Sequence, residues 1–253
     1  MQMIGVIGGV GPYAGIDFLK KIFDNTKALK DQEHVNCLLI SCPSIIADRM
    51  DFLLNRLDGK AENPCNGMFE SARRLHMAGV RRAIVACNAA HSGRIFSPFC
   101  EKVKEQLPDL EIVNLLESCA EYVKASLPGL KRIGLLATMG AHSSRVYHEY
   151  IKKEDGFILM EPDAAGQDRV HSAIFSEEYG IKAHSKNITQ KAQDLIAGEL
   201  KRLIEQGAEA VIMGCTEIPL AVKPEDYSIP VLDPGLIAAR KLLRMTFPEK
   251  LLD

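Results

Sequence analysis

The sequence predicts an α/β fold made of two similar domains with mainly parallel sheets. Three observations lead to this prediction. Short apolar runs alternate with longer helical patterns along the 253 residues, which is typical of βαβ units. Runs such as IGVI at residues 4–7 and AIVA at 83–86 are apolar on both faces, as buried parallel strands are. Two segments of the first half return in the second half, which indicates an internal duplication related by pseudo-two-fold symmetry.

The elements are predicted in chain order from runs of apolar residues for strands and from apolar positions three or four apart for helices. In the first half we expect strands at 4–7, 36–41, 83–86 and 111–114, and helices at 13–29, 67–78 and 117–126. In the second half we expect strands at 132–137, 156–160, 210–213 and 230–232, and helices from about 143, over 188–205 and after 234. Residues 1–114 with 222–253 are expected to form one domain and residues 115–221 the other, because such folds often exchange a terminal helix.

The duplication rests on two pairs of segments. IGVIG at 4–8 resembles IGLLA at 133–137, at an offset of 129 residues. The segment 78–88 resembles 206–216, and there Cys87 and Cys215 lie 128 residues apart, each eight residues after a glycine and directly before a polar residue. Each cysteine therefore follows a predicted strand at the carboxyl edge of a sheet, where ligands of open α/β sheets bind. If the halves face each other, both thiols approach one central cleft.

Composition and charge exclude several classes of protein. With 31 Lys and Arg against 33 Asp and Glu, the formal net charge is −2, so neither nucleic acid nor a membrane surface is an expected partner. No long apolar run predicts a membrane span, and the first nine residues lack a signal-peptide pattern. We therefore expect a cytoplasmic protein. Its seven cysteines have neither disulfide-framework nor zinc-site spacing and are expected to be reduced.

A symmetric pair of thiols suits one type of reaction. Inverting an amino acid at its α-carbon requires an acid/base on each side of that carbon, and Cys can act as thiolate base or as thiol acid. The sequence therefore predicts that Cys87 and Cys215 are catalytic residues of a two-base racemase. The other five cysteines have no counterpart at the 128-residue offset and are expected to be packing or surface residues.

An ordered set of motifs runs through nearly the whole chain: GGVGP at 8–12, DQEH at 31–34, ADR at 47–49, CNAAH at 87–91, LAT at 136–138, GCTEIP at 214–219 and LDP at 232–234. Through these motifs the chain resembles the aspartate racemases of the aspartate/glutamate/hydantoin racemase superfamily. The resemblance implies two α/β domains with the site between them, a homodimer, and no cofactor, neither pyridoxal phosphate nor a metal. The implied substrate is a small acidic amino acid, aspartate first.

The resemblance also implies roles for single residues. Cys87 and Cys215 match the two catalytic cysteines. Asn88 and Thr216 match residues that hold the substrate carboxylate. Arg49 matches a basic residue that faces the side-chain carboxylate, and a guanidinium fork fits a carboxylate with two hydrogen bonds. The other positions expected to bind substrate are Gly9, Val10, Gly11, Ala89, Thr138, Lys182 and Glu217.

Two departures from the family pattern leave the substrate open. Ala89 stands where the family usually has Thr, and Met50 stands where Thr usually follows Arg49, so the expected pocket is less polar. A catalytically altered binding or regulatory protein is therefore an alternative, as are hydantoin racemisation and maleate isomerisation on the same fold. His91, four residues after Cys87, suggests another alternative, a Cys-His thiol hydrolase or amidase.

The glycine-rich loop offers one more reading. Residues 9–14 fit the glycine pattern of dinucleotide-binding folds. However, Pro12 removes a backbone donor from the turn, and the second strand is not followed by the acidic residue that would bind a ribose. We therefore expect the loop to present its amides to a small substrate.

Overall fold

The computed structural model describes residues 2–55 and 58–252 and divides into two compact units. One unit consists of Met1–Cys119 and Gly235–Asp253, and the other of Ala120–Pro234. The domain boundaries expected from the sequence, after residues 114 and 221, precede these divisions. Both units are α/β structures, as predicted.

The two units have sheets of the same topology. The first sheet has the strand order β2-β1-β3-β4 and the second β6-β5-β7-β8, with every neighbouring pair parallel. The strands are β1 Ile4–Ile7, β2 Cys37–Ile40, β3 Arg82–Val85, β4 Glu111–Val113, β5 Arg132–Ala137, β6 Ile158–Met160, β7 Ala210–Gly214 and β8 Val231–Leu232. The repeated order confirms the predicted internal duplication: β5 and β7 occupy in the second sheet the places of β1 and β3 in the first.

Helices connect the parallel strands. They are α1 Pro12–Asp24, α2 Arg49–Leu53, α3 Cys65–Met77, α4 Gly93–Gln106, α5 Leu115–Ser126, α6 Met139–Ser143, α7 Ala164–Phe175, α8 Gln190–Glu205 and α9 Pro234–Thr246. The core of each unit lies where these helices pack on the sheet, and the central strands β1 and β7 are buried along their whole length. Among the helices described, none is long and apolar enough to cross a membrane.

Helix α4 was not predicted, because a proline lies inside it. Pro98 has no N–H to donate to the carbonyl of Arg94 one turn earlier. The side chain of Asn63 supplies the missing donor, with its Nδ2 bonded to the Arg94 oxygen at 3.0 Å. A contact from outside the helix therefore compensates for the break that the sequence indicates.

Helix α7 was also not predicted, because its buried face is only partly apolar. Gly166 and Gln167 are buried there. A Cβ on Gly166 would lie 2.5 Å from Oε2 of Glu199 in α8, so the glycine allows the two helices to approach closely. Glu199 is itself buried and receives hydrogen bonds from Arg169 and Arg202. This polar packing conceals the helical period of apolar residues.

The helix expected to begin near residue 143 ends there instead. Helix α6 starts at Met139, directly after β5, because the hydroxyl of Thr138 accepts a hydrogen bond from the Ala141 N–H at 3.4 Å and caps the helix. The prediction of this helix start was wrong, since the helix begins four residues earlier than the apolar pattern indicates.

Candidate active site

The glycine-rich loop joins the carboxyl end of β1 to α1. Gly9 has a φ of 78°, and a Cβ there would lie 2.8 Å from the backbone nitrogen of Cys42. Gly11 is the residue before the first turn of α1, which begins with Pro12. Because glycine has no side chain to accept from the N–H groups of that turn, these donors face the loop without a local cap. The loop is therefore suited to bind an anion.

Arg49 lies against this loop. Asp48 caps α2 by accepting hydrogen bonds from the backbone N–H groups of Met50 at 2.6 Å and Asp51 at 3.0 Å. The cap fixes the next residue, Arg49, whose Nη2 donates to the carbonyl oxygen of Val10 at 2.9 Å. The structure thus brings together Arg49 and Val10, which the sequence predicted as substrate-binding residues. Met50 is 5% exposed, so core packing accounts for its apolar side chain.

Cys87 directly follows Ala86 at the carboxyl end of β3. Its side chain is buried, as is that of Asn88, while Ala89 is half-buried. The residues after it form a single turn of 3₁₀ helix at Ala89–His91, held by a hydrogen bond from the His91 N–H to the Asn88 oxygen at 3.0 Å. The predicted residues Cys87, Asn88 and Ala89 thus share one tight turn at the edge of the first sheet.

His91 is fully buried and uses both ring nitrogens on the backbone. Nε2 accepts a hydrogen bond from the Leu115 N–H at 3.3 Å, so Nδ1 carries the proton and donates to the Cys87 carbonyl at 2.8 Å. Burial lowers the pKa of His91 to about 4, against the smaller opposing effect of the Cys87 hydrogen bond. The imidazole therefore bonds the Cys87 backbone and is not placed as a base on the thiol, which disfavours the hydrolase alternative.

Cys215 directly follows Gly214, the last residue of β7, and its thiol bonds a carboxylate. Sγ donates to Oε2 of Glu217 at 3.0 Å, and the hydroxyl of Thr216 donates to the same oxygen at 3.2 Å. Glu217 is 3% exposed, and its other oxygen forms an ion pair with the ammonium of Lys182. Four residues predicted for the site, Cys215, Thr216, Glu217 and Lys182, therefore meet in the second unit.

The charges in this cluster determine its protonation. Burial, followed by the neighbouring Glu217 carboxylate, raises the pKa of the Cys215 thiol well above its ordinary value. Burial acts on Glu217 in the same direction, but the Lys182 charge and the hydrogen bonds from Lys182, Cys215 and Thr216 outweigh it and lower the pKa of Glu217. The group therefore consists of a thiol, a carboxylate and an ammonium.

Thr138 caps helix α6 at the carboxyl end of β5 and is 5% exposed. The adjacent Ala137 carbonyl accepts a hydrogen bond from the buried amide of Gln167 at 2.8 Å. The sequence provides no signal for this contact, because helix α7, which carries Gln167, shows little apolar period. Among residues 2–55 and 58–252, no group of three or more His, Cys, Asp or Glu side chains is arranged to hold a metal ion.

Comparison with known proteins identifies the family of this chain. The family model described as Asp/Glu/Hydantoin racemase matches residues 7–242. The chain belongs to the Asp/Glu/hydantoin racemase family. The predicted family resemblance is thereby confirmed.

Several racemases are similar to this chain over most of their length. The structure of an aspartate racemase from Picrophilus torridus aligns with a TM-score of 0.79 at 26% identity, covering 100% of this chain and 96% of the other. A broad specificity amino-acid racemase of Bacillus subtilis is 24% identical over 94% of this chain and 95% of its own length. A glutamate racemase from Francisella tularensis, at 18% identity and a TM-score of 0.62, covers 100% of this chain and 83% of its own, and shares the fold.

Proposed function

We propose that this protein is a pyridoxal-phosphate-independent racemase of acidic amino acids that transfers protons between Cys87 and Cys215. The observation that carries the proposal is their matched position, since each cysteine follows the third strand of one of two sheets with identical strand order. A second supporting observation is the hydrogen bond from the Cys215 thiol to Glu217, in which one of the two sulfurs acts as a proton donor. Membership of a racemase family supports the same conclusion.

The proposed reaction consists of two proton transfers. A thiolate removes the α-proton and becomes a thiol, while the electron pair of the broken C–H bond stays on the α-carbon and is delocalised into the substrate carboxyl group. The second thiol then delivers its proton to the opposite face of that carbon and becomes a thiolate. The enantiomer changes, and nothing is oxidised or reduced. Acid/base groups placed in this way contribute about 10²–10⁴-fold each to such a reaction.

Arg49 and the loop at residues 9–11 are the proposed binding residues for substrate carboxylates. The guanidinium is already oriented by its hydrogen bond to Val10, and the uncapped first turn of α1 adds donors beside it. Asn88 and Thr216 follow the two sulfurs directly and are proposed to hold the α-carboxylate. Because these residues would bind two carboxylates, we expect aspartate to be the preferred substrate and glutamate the next. The similarity to an aspartate racemase supports this order.

Racemase assays on single-cysteine variants test the proposal. Wild type, Cys87→Ala and Cys215→Ala are compared on both enantiomers of aspartate, glutamate and alanine, with Cys100→Ala in helix α4 as the matched control. We expect each catalytic variant to lose about 10²–10⁴-fold in kcat, and the control to remain within about twofold.

Racemisation at the wild-type rate in either catalytic variant would contradict the assignment. Binding of dicarboxylic amino acids by the wild type, detected as a thermal shift and unaccompanied by α-proton exchange, would support the alternative of a binding protein. The homodimer implied by the resemblance is part of the proposal, and light scattering on the purified protein tests it.

A further inference from the structure

The two thiols occupy equivalent positions in the duplicated fold, but their neighbours differ in charge. Glu217 lies two residues after Cys215, and the residue at the same place after Cys87 is Ala89. A carboxylate in one repeat thus corresponds to a methyl group in the other. Since the repeats share strand order, the surroundings of the two sulfurs can be compared directly.

Around Cys215 the described contacts form a chain of three groups. The thiol donates to one oxygen of Glu217, and the ammonium of Lys182 pairs with the other oxygen. The Thr216 hydroxyl donates to the oxygen that also receives the thiol proton. The Lys182 ammonium also lies over the ring of Phe175, 5.3 Å from the ring centre.

Around Cys87 the corresponding positions offer no ionised group to the sulfur. Ala89 is apolar, and the imidazole of His91 is neutral and bonded through both nitrogens to backbone atoms. Its contact with Cys87 is with the carbonyl oxygen, not with the thiol. The duplication has therefore diverged in its electrostatics while it has kept both sulfurs.

We propose that Glu217, in addition to burial, keeps Cys215 protonated in the substrate-free enzyme and that Lys182 acts on the reaction through Glu217. This inference rests on the proposed function and assigns the starting roles of the two thiols: Cys215 is the proton donor in the resting enzyme, and Cys87 is the base. Glu217 and Lys182 are positioning residues, since they act through the sulfur of Cys215.

The proton balance explains why both residues are needed. When Cys215 gives its proton to the α-carbon, it becomes a thiolate beside the Glu217 carboxylate, and the two negative charges repel each other. The Lys182 ammonium offsets one of these charges and keeps the thiolate state accessible. The repulsion also makes that thiolate a strong base, which favours removal of the α-proton from the product when the reaction runs in reverse.

The test measures thiol reactivity without substrate. Iodoacetamide alkylates thiolates, so its rate from pH 6 to 10 follows deprotonation of each sulfur. Trypsin releases Cys215 as the sole cysteine of residues 203–240 and Cys87 as the sole cysteine of residues 83–94, and mass spectrometry of the two peptides separates their rates. The variants are Glu217→Gln, Lys182→Met and Lys182→Arg, with the exposed Glu225→Gln and Lys223→Met as matched controls.

We expect Glu217→Gln to speed alkylation of Cys215 at pH 7.5 by about tenfold or more, because the carboxylate that opposes the thiolate is gone. Lys182→Met is expected to slow alkylation of Cys215 by about threefold or more, and to lower kcat by a larger factor than it raises KM. Lys182→Arg is expected to keep most of the wild-type alkylation rate and kcat. The controls stay within about twofold. Circular dichroism verifies that each variant is folded.

Unchanged or slower alkylation of Cys215 in Glu217→Gln would overturn the inference, as would faster alkylation in Lys182→Met. A Lys182→Met variant with raised KM and unchanged kcat would instead assign Lys182 to substrate binding. Because alkylation requires no turnover, the inference can fail while the racemase assignment holds. Conversely, wild-type racemisation by Cys215→Ala would refute the proposed function whatever the alkylation rates are.

Discussion

Replacing His91 by Gln should remove a specific pH dependence from the stability of the protein. The buried imidazole has its pKa lowered from 6.5 to about 4. Between these values the unfolded chain binds a proton at His91 and the folded chain does not, so stability falls as the pH decreases. At 1.36 kcal/mol for each pH unit, the loss between pH 6.5 and pH 4 amounts to about 3 kcal/mol.

The structure gives the reason for this cost. A protonated His91 could no longer accept the hydrogen bond from the Leu115 N–H, which is 3.3 Å from Nε2. Gln at this position has no proton to bind in this pH range. Its amide has a donor and an acceptor but is not fixed in orientation as the ring is, so the variant is also expected to lose about 1–3 kcal/mol at pH 7.5.

Urea unfolding followed by circular dichroism between pH 4.5 and 7.5 provides the assay. The wild type should lose stability faster than His91→Gln as the pH falls below 6.5, by up to about 1.4 kcal/mol for each pH unit. His34→Gln, which replaces an exposed imidazole, is the matched control for loss of a histidine. Parallel pH dependences in wild type and His91→Gln would refute a neutral, backbone-bonded imidazole.

Three further substitutions probe how the fold positions the site. Asp48→Ala removes the cap of α2, so we expect a loss of about 1 kcal/mol in urea unfolding and a raised KM for dicarboxylic substrates in steady-state kinetics. Asn63→Ala leaves the Arg94 carbonyl without its side-chain donor, and calorimetry should show a lower Tm, from a loss of about 1–2 kcal/mol. Gly9→Ala places a Cβ 2.8 Å from a backbone nitrogen at a φ of 78°, so kcat/KM should fall at least about tenfold in racemase assays.

The fold was largely predictable because its signals are local and repeated. Strands of a parallel sheet are apolar on both faces, and the duplication provided two independent observations of the same pattern. What the sequence could not reveal depends on contacts from distant segments. The proline inside α4 predicts a break in the helix, and only the structure shows that Asn63 donates to the Arg94 carbonyl and compensates for it. Similarly, α7 shows little apolar period because its buried face contains Gly166 and Gln167.

The candidate site likewise has features that the sequence predicts and features that depend on distant contacts. Motif positions predicted Arg49 and residues 9–11 as substrate-binding residues, and the hydrogen bond to Val10 shows that Arg49 lies against the loop. The order of residues could not show that Lys182 pairs with Glu217, since 35 residues separate them. Nor could it show which nitrogen of His91 carries the proton, because that depends on the Leu115 N–H. The sequence thus predicted residues that lie together within each unit, such as Arg49 with Val10 and Cys215 with Glu217, and their protonation required the structure.

The most direct test of two-base racemisation is deuterium incorporation during the first turnovers in D₂O. Wild-type enzyme is given L-aspartate, and mass spectrometry after chiral separation measures deuterium at the α-carbon of both enantiomers. Transfer between two thiols predicts one deuterium in nearly all of the D-aspartate formed and very little in the remaining L-aspartate. Two-base racemisation would be contradicted if the D-aspartate retained the original α-proton. It would also be contradicted if neither L-aspartate nor L-glutamate were converted.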